Sequence, residues 1–341
     1  MKRIGIILLI LVIMASAAMA GGQKQAVKGK GVLYYMLPAL LDEFQSGTKL
    51  MVEKYGKEQG FEVKSLNANN NTQVQNDQMD DAIAQKPSAI ILNAVDASTI
   101  TASVNKARNA GIPVLVYDRF ITDTTLDFHS VVGTVKMGEI AAAECVKLLK
   151  KKYNAEKGSV LELMGDPGDM YSVLIDQGFR NSLAKHPSIS VVVKEAAGWD
   201  ITVTARALDD QLTAGSKFDI IFIHADFRVP AITPVLERHG YKAGDVLIIG
   251  TDGMPSGLDQ IRNGWMIETV AVPMVQQVWG LFQFMDKVLA KKTIAAGGYD
   301  VKGIKAELKI EKWGPTLYLP GEIISKDNVN NPELWGNIKL Q

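Results

Sequence analysis

The stretch AIILNAVDASTITASVNKARNAGIPVLVYD, residues 89–118, decides the fold of this chain. An apolar run stands at each of its ends, and a helical pattern lies between them. Asp96 or Ser98 can cap that helix at its start. Gly111 followed by Pro113 ends it. A strand, a helix and a second strand in this order predict two parallel strands joined by a right-handed crossover.

The same alternation of apolar runs and amphipathic patterns continues along most of the chain. Strands are predicted at 32–36, 61–66, 89–94, 114–118, 159–164, 189–196, 218–225, 246–252 and 266–272. Helices are predicted at 42–59, 73–86, 97–110, 135–152, 171–185, 202–214, 230–239, 255–263 and 273–291. Short apolar strands separated by helices indicate an α/β protein whose parallel sheets are covered on both faces.

The pattern of elements restarts in the second half of the chain, which predicts two doubly wound parallel-sheet lobes. About 320 residues, the length left without a leader, also exceed what a single core usually serves. The N-terminal lobe is predicted from 31–133 plus 273–312, and the C-terminal lobe from 134–272 plus 313–341. Hinge crossings between the lobes are expected near 132–135, 272–273 and 313–320.

The first twenty residues, MKRIGIILLILVIMASAAMA, have the three parts of a secretory signal. Lys2 and Arg3 form the basic tip, an apolar run follows, and small residues surround the expected cleavage point after Ala20. A transmembrane anchor is the alternative, but it needs roughly 20 apolar residues, more than this run offers. The sequence therefore predicts a signal peptide at 1–20, a linker at 21–30 and a soluble exported product.

Charge and cysteine content exclude several classes of function. Lys and Arg number 37, as do Asp and Glu, so the surface gives no electrostatic reason to expect nucleic acid or an anionic membrane as a partner. The single cysteine, Cys145, permits no intrachain disulfide. It shares a helical face with apolar residues, so we expect a small core residue there.

Polar and aromatic residues collect where the predicted strands end. They are Asp42, Phe44, Gln45, Asp118, Arg119 and Phe120 in the first half, and Trp199, Asp226 and Asp252 in the second. Each has a plainer explanation by itself, such as a helix cap, a surface ion pair or a packed ring. Open α/β sheets, however, bind ligands beyond the carboxyl ends of their strands. Carboxylates, a guanidinium and aromatic faces meeting there predict a carbohydrate site.

Three stretches carry a resemblance to a known family. They are VLVYDRFITDTTLDF followed by VKMGEI, GTDGMPSGLDQIRNG and GPTLYLPGEIISKDNV, which begin at residues 114, 250 and 314. With them the chain resembles the periplasmic solute-binding proteins of the ribose and xylose type, the sugar receptors of ABC importers, and the xylose-binding branch most closely. The resemblance covers almost the whole chain beyond the leader. It implies the type I periplasmic binding protein fold and a periplasmic location.

The resemblance also implies roles for individual residues. It places Asp118 and Arg119 on sugar hydroxyls, Trp199 against a ring face, and Asp252 on a further hydroxyl. The match after the first strand is looser, and there it puts Asp42, Phe44 and Gln45 in a region that makes polar or stacking contacts. Phe120 stands next to the Asp-Arg pair and is expected beside the ligand.

At three places the chain departs from the family pattern. Ala225 precedes Asp226 where the family has an asparagine before the acid, and Met170 and Tyr171 stand where it has an Asn or Arg. Val272 replaces a Gln or Lys. Each lost hydrogen bond to a sugar would be worth on the order of 1 kcal/mol. These residues predict a ligand with a less polar side than an aldopentose.

The resemblance thus implies a monomeric binding protein that captures a monosaccharide, pentose or hexose, or a sugar-like polyol and delivers it to the membrane subunits of an ABC permease. A chemoreceptor is a possible further partner. No cofactor or metal is expected, since the four histidines lack close metal spacing. The alternatives are a secreted α/β enzyme acting on a sugar, for which no nucleophile or nucleotide motif stands in the sequence, and a sugar-responsive transcription regulator, which would need a helix-turn-helix.

Overall fold

The structure is a computed structural model that describes residues 29–338. The predicted signal peptide at 1–20 and nearly all of the predicted linker at 21–30 lie outside the described residues. Within the described part, no helix is both long enough and apolar enough to cross a membrane.

Strands and helices alternate through most of the described chain, apart from two consecutive strands between residues 114 and 132 and four strands that follow the last α-helix. The strands are β1 (Val32–Leu37), β2 (Glu62–Asn67), β3 (Ala89–Leu92), β4 (Val114–Tyr117), β5 (Phe128–Val132), β6 (Gly158–Leu163), β7 (Ile189–Lys194), β8 (Ile220–Ile223), β9 (Leu247–Asp252), β10 (Glu268–Ala271), β11 (Gly297–Val301), β12 (Ile304–Glu311), β13 (Gly314–Leu319) and β14 (Glu322–Ser325). The helices are α1 (Glu43–Glu58), α2 (Thr72–Ala84), α3 (Thr101–Asn109), α4 (Thr134–Tyr153), α5 (Met170–Leu183), α6 (Ile201–Thr213), α7 (Val229–Arg238), α8 (Pro255–Arg262) and α9 (Met274–Leu289).

The N-terminal lobe is built on an eight-stranded sheet in the order β11-β12-β13-β5-β4-β3-β1-β2. Its strands β1 to β5 and β13 pair in parallel, whereas β11, β12 and β13 form an antiparallel extension. Helices α1, α2, α3 and α9 pack on this sheet. The central strands β3 and β4 are buried along their whole length, which is why they read as continuous apolar runs in the sequence.

The C-terminal lobe is built on a six-stranded sheet in the order β14-β10-β9-β8-β6-β7. All its neighbours pair in parallel except the edge strand β14, which is antiparallel to β10. Helices α4 to α8 belong to this lobe. Cys145 of α4 is fully buried in the hydrophobic core, as the sequence predicted. Two parallel-sheet α/β lobes confirm the predicted fold class.

The described chain passes between the two sheets three times: after β5, after β10 and between β13 and β14. The predicted lobe boundary between 312 and 313 is wrong. Strand β13 pairs with β5, with Leu319 opposite Val132, so its residues belong to the sheet of the N-terminal lobe. The last passage therefore falls between Leu319 and Glu322, at the end of the predicted range.

Helices α4 and α5 approach each other so closely that only glycine fits at two contact points. A Cβ atom on Gly138 would lie 2.1 Å from the carbonyl oxygen of Ile175, and one on Gly178 would lie 2.1 Å from that of Val135. Backbone atoms cannot move aside as a flexible side chain can. The two glycines thus fix the distance between the helices.

We expect Gly138→Ala to lower the free energy of unfolding by about 1–3 kcal/mol, because the added methyl group forces α4 away from α5. Urea unfolding of the purified protein measures this. Gly298→Ala in β11 is the matched control, since a Cβ atom there meets nothing within 4 Å. Equal midpoints for the two variants would contradict the close helix contact.

A series of hydrogen-bonded polar groups is buried inside the C-terminal lobe. Glu162 Oε1 lies 3.0 Å from His224 Nε2, and His224 Nδ1 lies 3.3 Å from Ser172 Oγ. All three side chains are fully buried. Burial, with a contribution from the Asp176 carboxylate, raises the pKa of Glu162 to about 9, and burial lowers the pKa of His224 well below its ordinary value. A protonated Glu162 donating to a neutral imidazole fits both directions.

These hydrogen-bonded groups make the free energy of unfolding depend on pH. An unfolded Glu ionises near pH 4.3, but the folded Glu162 keeps its proton up to about pH 9. The folded state therefore binds the extra proton between these values, and its stability falls as the pH rises, by up to about 1.4 kcal/mol per pH unit from this group. Glu162→Gln should remove that slope, which urea unfolding between pH 6 and pH 8 tests. An identical slope in variant and parent would show that Glu162 is ionised in the folded protein.

Candidate ligand-binding site

A cavity lies between the two lobes at the carboxyl ends of their parallel strands. About 360 Å³ of space lies between its walls, part of it continuous with open solvent. Its walls are formed by Asp42, Phe44, Gln45, Asp118, Arg119, Asp169, Tyr171, Trp199, Ala225, Phe227, Asp252 and Met254. The position agrees with the rule that open α/β sheets bind ligands beyond the ends of their strands.

The wall of the N-terminal lobe comes from the start of α1 and the end of β4. Asp42 is the N-cap of α1, where its side chain accepts a 2.7 Å hydrogen bond from the backbone N–H of Gln45. Phe44 and Gln45 occupy the first turn of that helix and are buried. Asp118 directly follows β4. The cap of α1 and the end of β4 thus bring two acids, an aromatic ring and an amide to one place.

The wall of the C-terminal lobe follows the same principle. Asp169 is the N-cap of α5 and accepts a hydrogen bond from the backbone N–H of Tyr171. Trp199 lies in a short 3-10 turn after β7, and Phe227 in another after β8. Asp252 is the last residue of β9. The hydroxyl of Tyr171 donates to the carboxylate of Asp252, so the two side chains form one polar pair in the wall.

Four residues of the wall have backbone angles that residues other than glycine seldom adopt. The φ angles are 66° at Asp118, 60° at Trp199, 70° at Ala225 and 94° at Asp252. Such conformations cost on the order of 1–3 kcal/mol each, and they concentrate at ligand sites. Their position at four strand ends around one cavity marks this place as functional.

An ion pair joins the two lobes across the cavity. Arg119 Nε lies 2.9 Å from the Oδ2 atom of Asp169, and the Asp169 side chain is 3% exposed. The Nη1 atom of Arg119 donates to the carbonyl oxygens of Ala94 and Val95, at 2.9 and 3.2 Å. The guanidinium therefore links the end of β3, the end of β4 and the start of α5.

Two further contacts hold the lobes together beside the cavity. The carboxylate of Glu43 in the first turn of α1 accepts hydrogen bonds from the backbone N–H of Ser256, at 2.9 Å, and from its hydroxyl, at 2.6 Å. The ring of Phe44 meets the edge of Trp335, with ring centroids 5.9 Å apart. The indole N–H of Trp335 donates to the carbonyl oxygen of Asp252. These contacts describe lobes that are closed on the cavity.

The acids of the cavity have pKa values above the ordinary range. Burial, reinforced by the charge of Asp169, raises the pKa of Asp118 to about 7. Burial also raises the pKa values of Asp42, Asp169 and Asp252. Asp118 Oδ1 is buried and has no hydrogen-bond partner, whereas Oδ2 lies 3.4 Å from the Asn93 amide. An acceptor without a partner in a cavity wall is available to a ligand donor.

Of the twelve residues predicted from the sequence, nine line this cavity. They are Asp42, Phe44, Gln45, Asp118, Arg119, Tyr171, Trp199, Ala225 and Asp252. The other three lie elsewhere. Phe120 packs its ring against His129 and Tyr318, and Met170 lines a separate groove beside the passage after β5. Asp226 is fully buried and accepts hydrogen bonds from the backbone of Gly253 and Met254 and from the hydroxyl of Thr269. It holds the start of α8 in place and does not face the cavity.

Three cavity residues escaped the sequence prediction: Asp169, Phe227 and Met254. Asp169 stands in GDPGDMY, and its helix-capping role conceals a second role in the cavity wall. Phe227 follows the expected contact Ala225 by two residues, in the 3-10 turn after β8. A metal site is not found, since the described residues hold no group of three His, Cys, Asp or Glu suited to an ion.

Two doubly wound lobes closed on a cavity of acids and aromatic rings define a two-lobed solute-binding protein. The family model described as a periplasmic binding protein domain matches residues 33–293, and the chain belongs to that family. The family prediction is therefore confirmed.

Individual relatives agree with this assignment. The chain is 28% identical over 257 residues to the ribose import binding protein of Bacillus subtilis, covering 75% of this chain and 79% of that protein. It is 27% identical to the xylitol-binding protein of Mycolicibacterium smegmatis, covering 70% and 66%. A solute-binding protein of an ABC transporter from Bacillus halodurans, solved with bound myo-inositol, superposes with a TM-score of 0.77 at 20% identity and covers 91% of this chain and all of that one.

Proposed function

We propose that this protein is the periplasmic receptor of an ABC importer, which captures a monosaccharide or a sugar-like polyol between its lobes and delivers it to the membrane permease. The family and the printed names of the relatives support a transport receptor of this kind. They also favour binding without turnover, since the relatives are described as binding proteins and not as enzymes.

One observation of the structure carries the proposal. The cavity combines buried carboxylates with aromatic side chains, and the Oδ1 atom of Asp118 has no partner among the described residues. Carboxylate oxygens accept hydrogen bonds from hydroxyl groups, and aromatic faces cover the C–H faces of a sugar. A polyhydroxylated ligand therefore satisfies both parts of the wall at once.

The relatives suggest how broad the choice of ligand is. Their printed names refer to ribose and xylitol, and the superposed structure holds myo-inositol, so an aldopentose, an acyclic polyol and a cyclitol all occur on this fold. Of the four residues behind the predicted less polar side of the ligand, Ala225 alone is an apolar part of the wall. Met170 lies outside the cavity, Val272 is not part of its wall, and Tyr171 brings a hydroxyl to it. Phe227 and Met254, which the sequence did not predict, add apolar wall. We therefore propose a hydroxyl-rich ligand whose C–H faces contact these side chains.

Closure of the lobes supplies the signal for delivery. The ion pair of Arg119 with Asp169 and the hydrogen bonds of Glu43 with Ser256 bridge the cleft. A ligand that binds the closed form more tightly than the open form shifts the population of protein molecules toward the closed form. The permease then recognises that form. A monomer in the periplasm suffices for this cycle, and a chemoreceptor could recognise the same closed surface.

The ligand retained through purification, identified by mass spectrometry, tests the proposal directly. A thermal-shift panel of pentoses, hexoses, polyols and cyclitols follows, because binding to the folded state stabilises it by about 2.7 kcal/mol at a hundredfold excess over Kd. We expect at least one neutral polyhydroxylated compound to raise the melting temperature in a saturable manner. Stabilisation by amino acids or peptides alone, or turnover of a glycoside, would contradict the proposal.

A further inference from the structure

We propose that the ligand of this receptor carries a protonated amino group in addition to its hydroxyls, as an amino sugar or an amino polyol does. This inference rests on the proposed function and narrows the class of ligand. Its basis is the balance of charge in the cavity, the unpartnered oxygen of Asp118 and the arrangement of the aromatic side chains.

The cavity wall is strongly acidic. Four carboxyl groups face it, those of Asp42, Asp118, Asp169 and Asp252. Among the described residues of its wall, Arg119 is the one cationic side chain. Behind this wall, the buried guanidinium of Arg228 lies over the ring of Trp199 and interacts with the carboxyl group of Asp252. A ligand with a positive charge would stabilise the ionised form of the other acids more than a neutral sugar does.

The guanidinium of Arg119 contacts protein groups through two of its three nitrogen atoms. Its Nε atom pairs with Asp169, and its Nη1 atom donates to the carbonyl oxygens of Ala94 and Val95. Asp169 in turn also accepts from the indole N–H of Trp199, at 3.1 Å. Asp169 thus has its full set of partners. The carboxyl groups of Asp42, Asp118 and Asp252 have no cation of their own within the wall.

Asp118 is the acid that most clearly lacks a partner. Its side chain is 5% exposed, its Oδ1 atom makes no hydrogen bond, and its Oδ2 atom has only the Asn93 amide, at 3.4 Å. By comparison, Asp42 caps α1 and Asp252 accepts from the hydroxyl of Tyr171. A buried acceptor without a hydrogen bond carries a desolvation cost, which is larger when the acceptor is charged. An ammonium group beside Asp118 Oδ1 would remove this cost.

The aromatic side chains of the wall suit a cation as well as a sugar ring. Phe44, Tyr171, Trp199 and Phe227 contribute to the cavity. A cation within about 6 Å of an aromatic ring face is attracted by the ring, most strongly when water is excluded. Carboxylates and aromatic rings together therefore attract an ammonium more than a hydroxyl, because only the ammonium gains from both electrostatic terms.

The titration of Asp118 follows from the same surroundings. The charged and titratable groups near it are Tyr35, Asp42, Tyr117, Arg119, Asp169, Tyr171 and Asp252. Its pKa of about 7 means that without a ligand the side chain is a protonated acid below that pH and a carboxylate above it. A bound ammonium favours the carboxylate. Affinity for an amine should accordingly rise as the pH increases from 5.5 to 8, whereas affinity for a neutral polyol should not.

Matched pairs of ligands test the inference by isothermal titration calorimetry. Each pair shares one skeleton and differs by an amino group in place of a hydroxyl: 4-amino-4-deoxy-L-arabinose and L-arabinose, D-glucosamine and D-glucose, 1-amino-1-deoxysorbitol and sorbitol, and scyllo-inosamine and scyllo-inositol. We expect the amine of at least one pair to bind tenfold or more tightly than its neutral counterpart at pH 7.5. Asp118→Asn should reduce that preference at least tenfold, and 1-amino-1-deoxysorbitol serves for the pH series.

The outcomes separate this inference from the proposed function. If neutral compounds bind and no amine exceeds its counterpart, the inference is overturned and the sugar receptor stands. If an amine binds more tightly than its neutral counterpart but Asp118→Asn leaves that preference unchanged, the assignment of the ammonium contact to Asp118 is wrong. If neither the pairs nor the wider neutral panel bind, the proposed function fails and the inference fails with it.

Discussion

Arg119→Ala should weaken ligand binding by thirtyfold or more, a loss of about 2–3 kcal/mol. The substitution removes the ion pair with Asp169 that joins the lobes, and it leaves a carboxylate that is 3% exposed without its cation. Breaking a buried pair costs more than the pair contributes, because the remaining charge stays desolvated. The substitution destabilises the closed form, in which Asp169 is buried. It therefore weakens ligand binding more than it lowers the free energy of unfolding. Isothermal titration calorimetry with the ligand that the panel identifies measures the change.

Two variants serve as controls for Arg119→Ala. Arg108→Ala removes an arginine of the same lobe whose pair with Asp127 is 28% exposed on both sides and lies away from the cavity, so its affinity should equal that of the parent. Arg119→Ala combined with Asp169→Asn should recover part of the lost affinity, since no orphan charge remains. Unchanged affinity in Arg119→Ala would show that the interlobe pair plays no part in binding.

Arg228→Met should reduce the free energy of unfolding by about 3–5 kcal/mol. The Arg228 side chain is fully buried, and it donates to the carbonyl oxygens of Leu163, Met164 and His224 and to the hydroxyl of Thr204. Methionine fills similar space and leaves these acceptors without donors. Urea unfolding measures the loss.

The same substitution should also affect binding. The guanidinium of Arg228 lies over the ring of Trp199, 5.4 Å from its centroid, and so helps to hold that ring in the cavity wall. Arg238→Met, at a side chain that is 60% exposed, is the matched control and should change stability by less than about 0.5 kcal/mol. A stability loss no larger than that of the control would mean that water replaces the guanidinium.

Periodicity was enough to predict the helices and most of the strands of the two lobes. Strand β5 was missed because FHSVV places His129 and Ser130 in a run that does not look apolar. Both side chains are nonetheless fully buried: His129 lies with its ring against Phe120, and Ser130 donates to the carbonyl oxygen of Gln277. Tertiary contacts that make a polar residue acceptable in a core leave no mark on the local pattern.

The antiparallel extension was missed for a different reason. Strand β12, IKAELKIE, alternates between buried and exposed positions, with Ala306 and Leu308 buried. A strand of this kind belongs to a sheet with one covered face, whereas the search for parallel strands depended on continuous apolar runs. The misplaced lobe boundary has the same origin, since β13 was taken as part of the crossing and not as a strand.

Most of the lining of this cavity could be predicted from the sequence because strand ends converge in a doubly wound sheet. The rule brought two acids into the cavity wall: Asp118, which directly follows β4, and Asp252, the last residue of β9. It failed where the local turn sets the direction of a side chain. Asp226 turns inward to the backbone of Gly253 and Met254, and Phe120 turns toward His129. Asp169 was missed because a helix cap needs no second explanation.

The position of Trp335 makes its intrinsic fluorescence sensitive to the contact between the two lobes. Its ring rests on Phe44 of the opposite lobe while its indole N–H is held by Asp252, and Trp199 lies in the cavity itself. Opening of the lobes would expose the indole of Trp335 to water, and a captured ligand would shield that of Trp199. Emission at these two sites should therefore follow each capture and release in real time, without any dye.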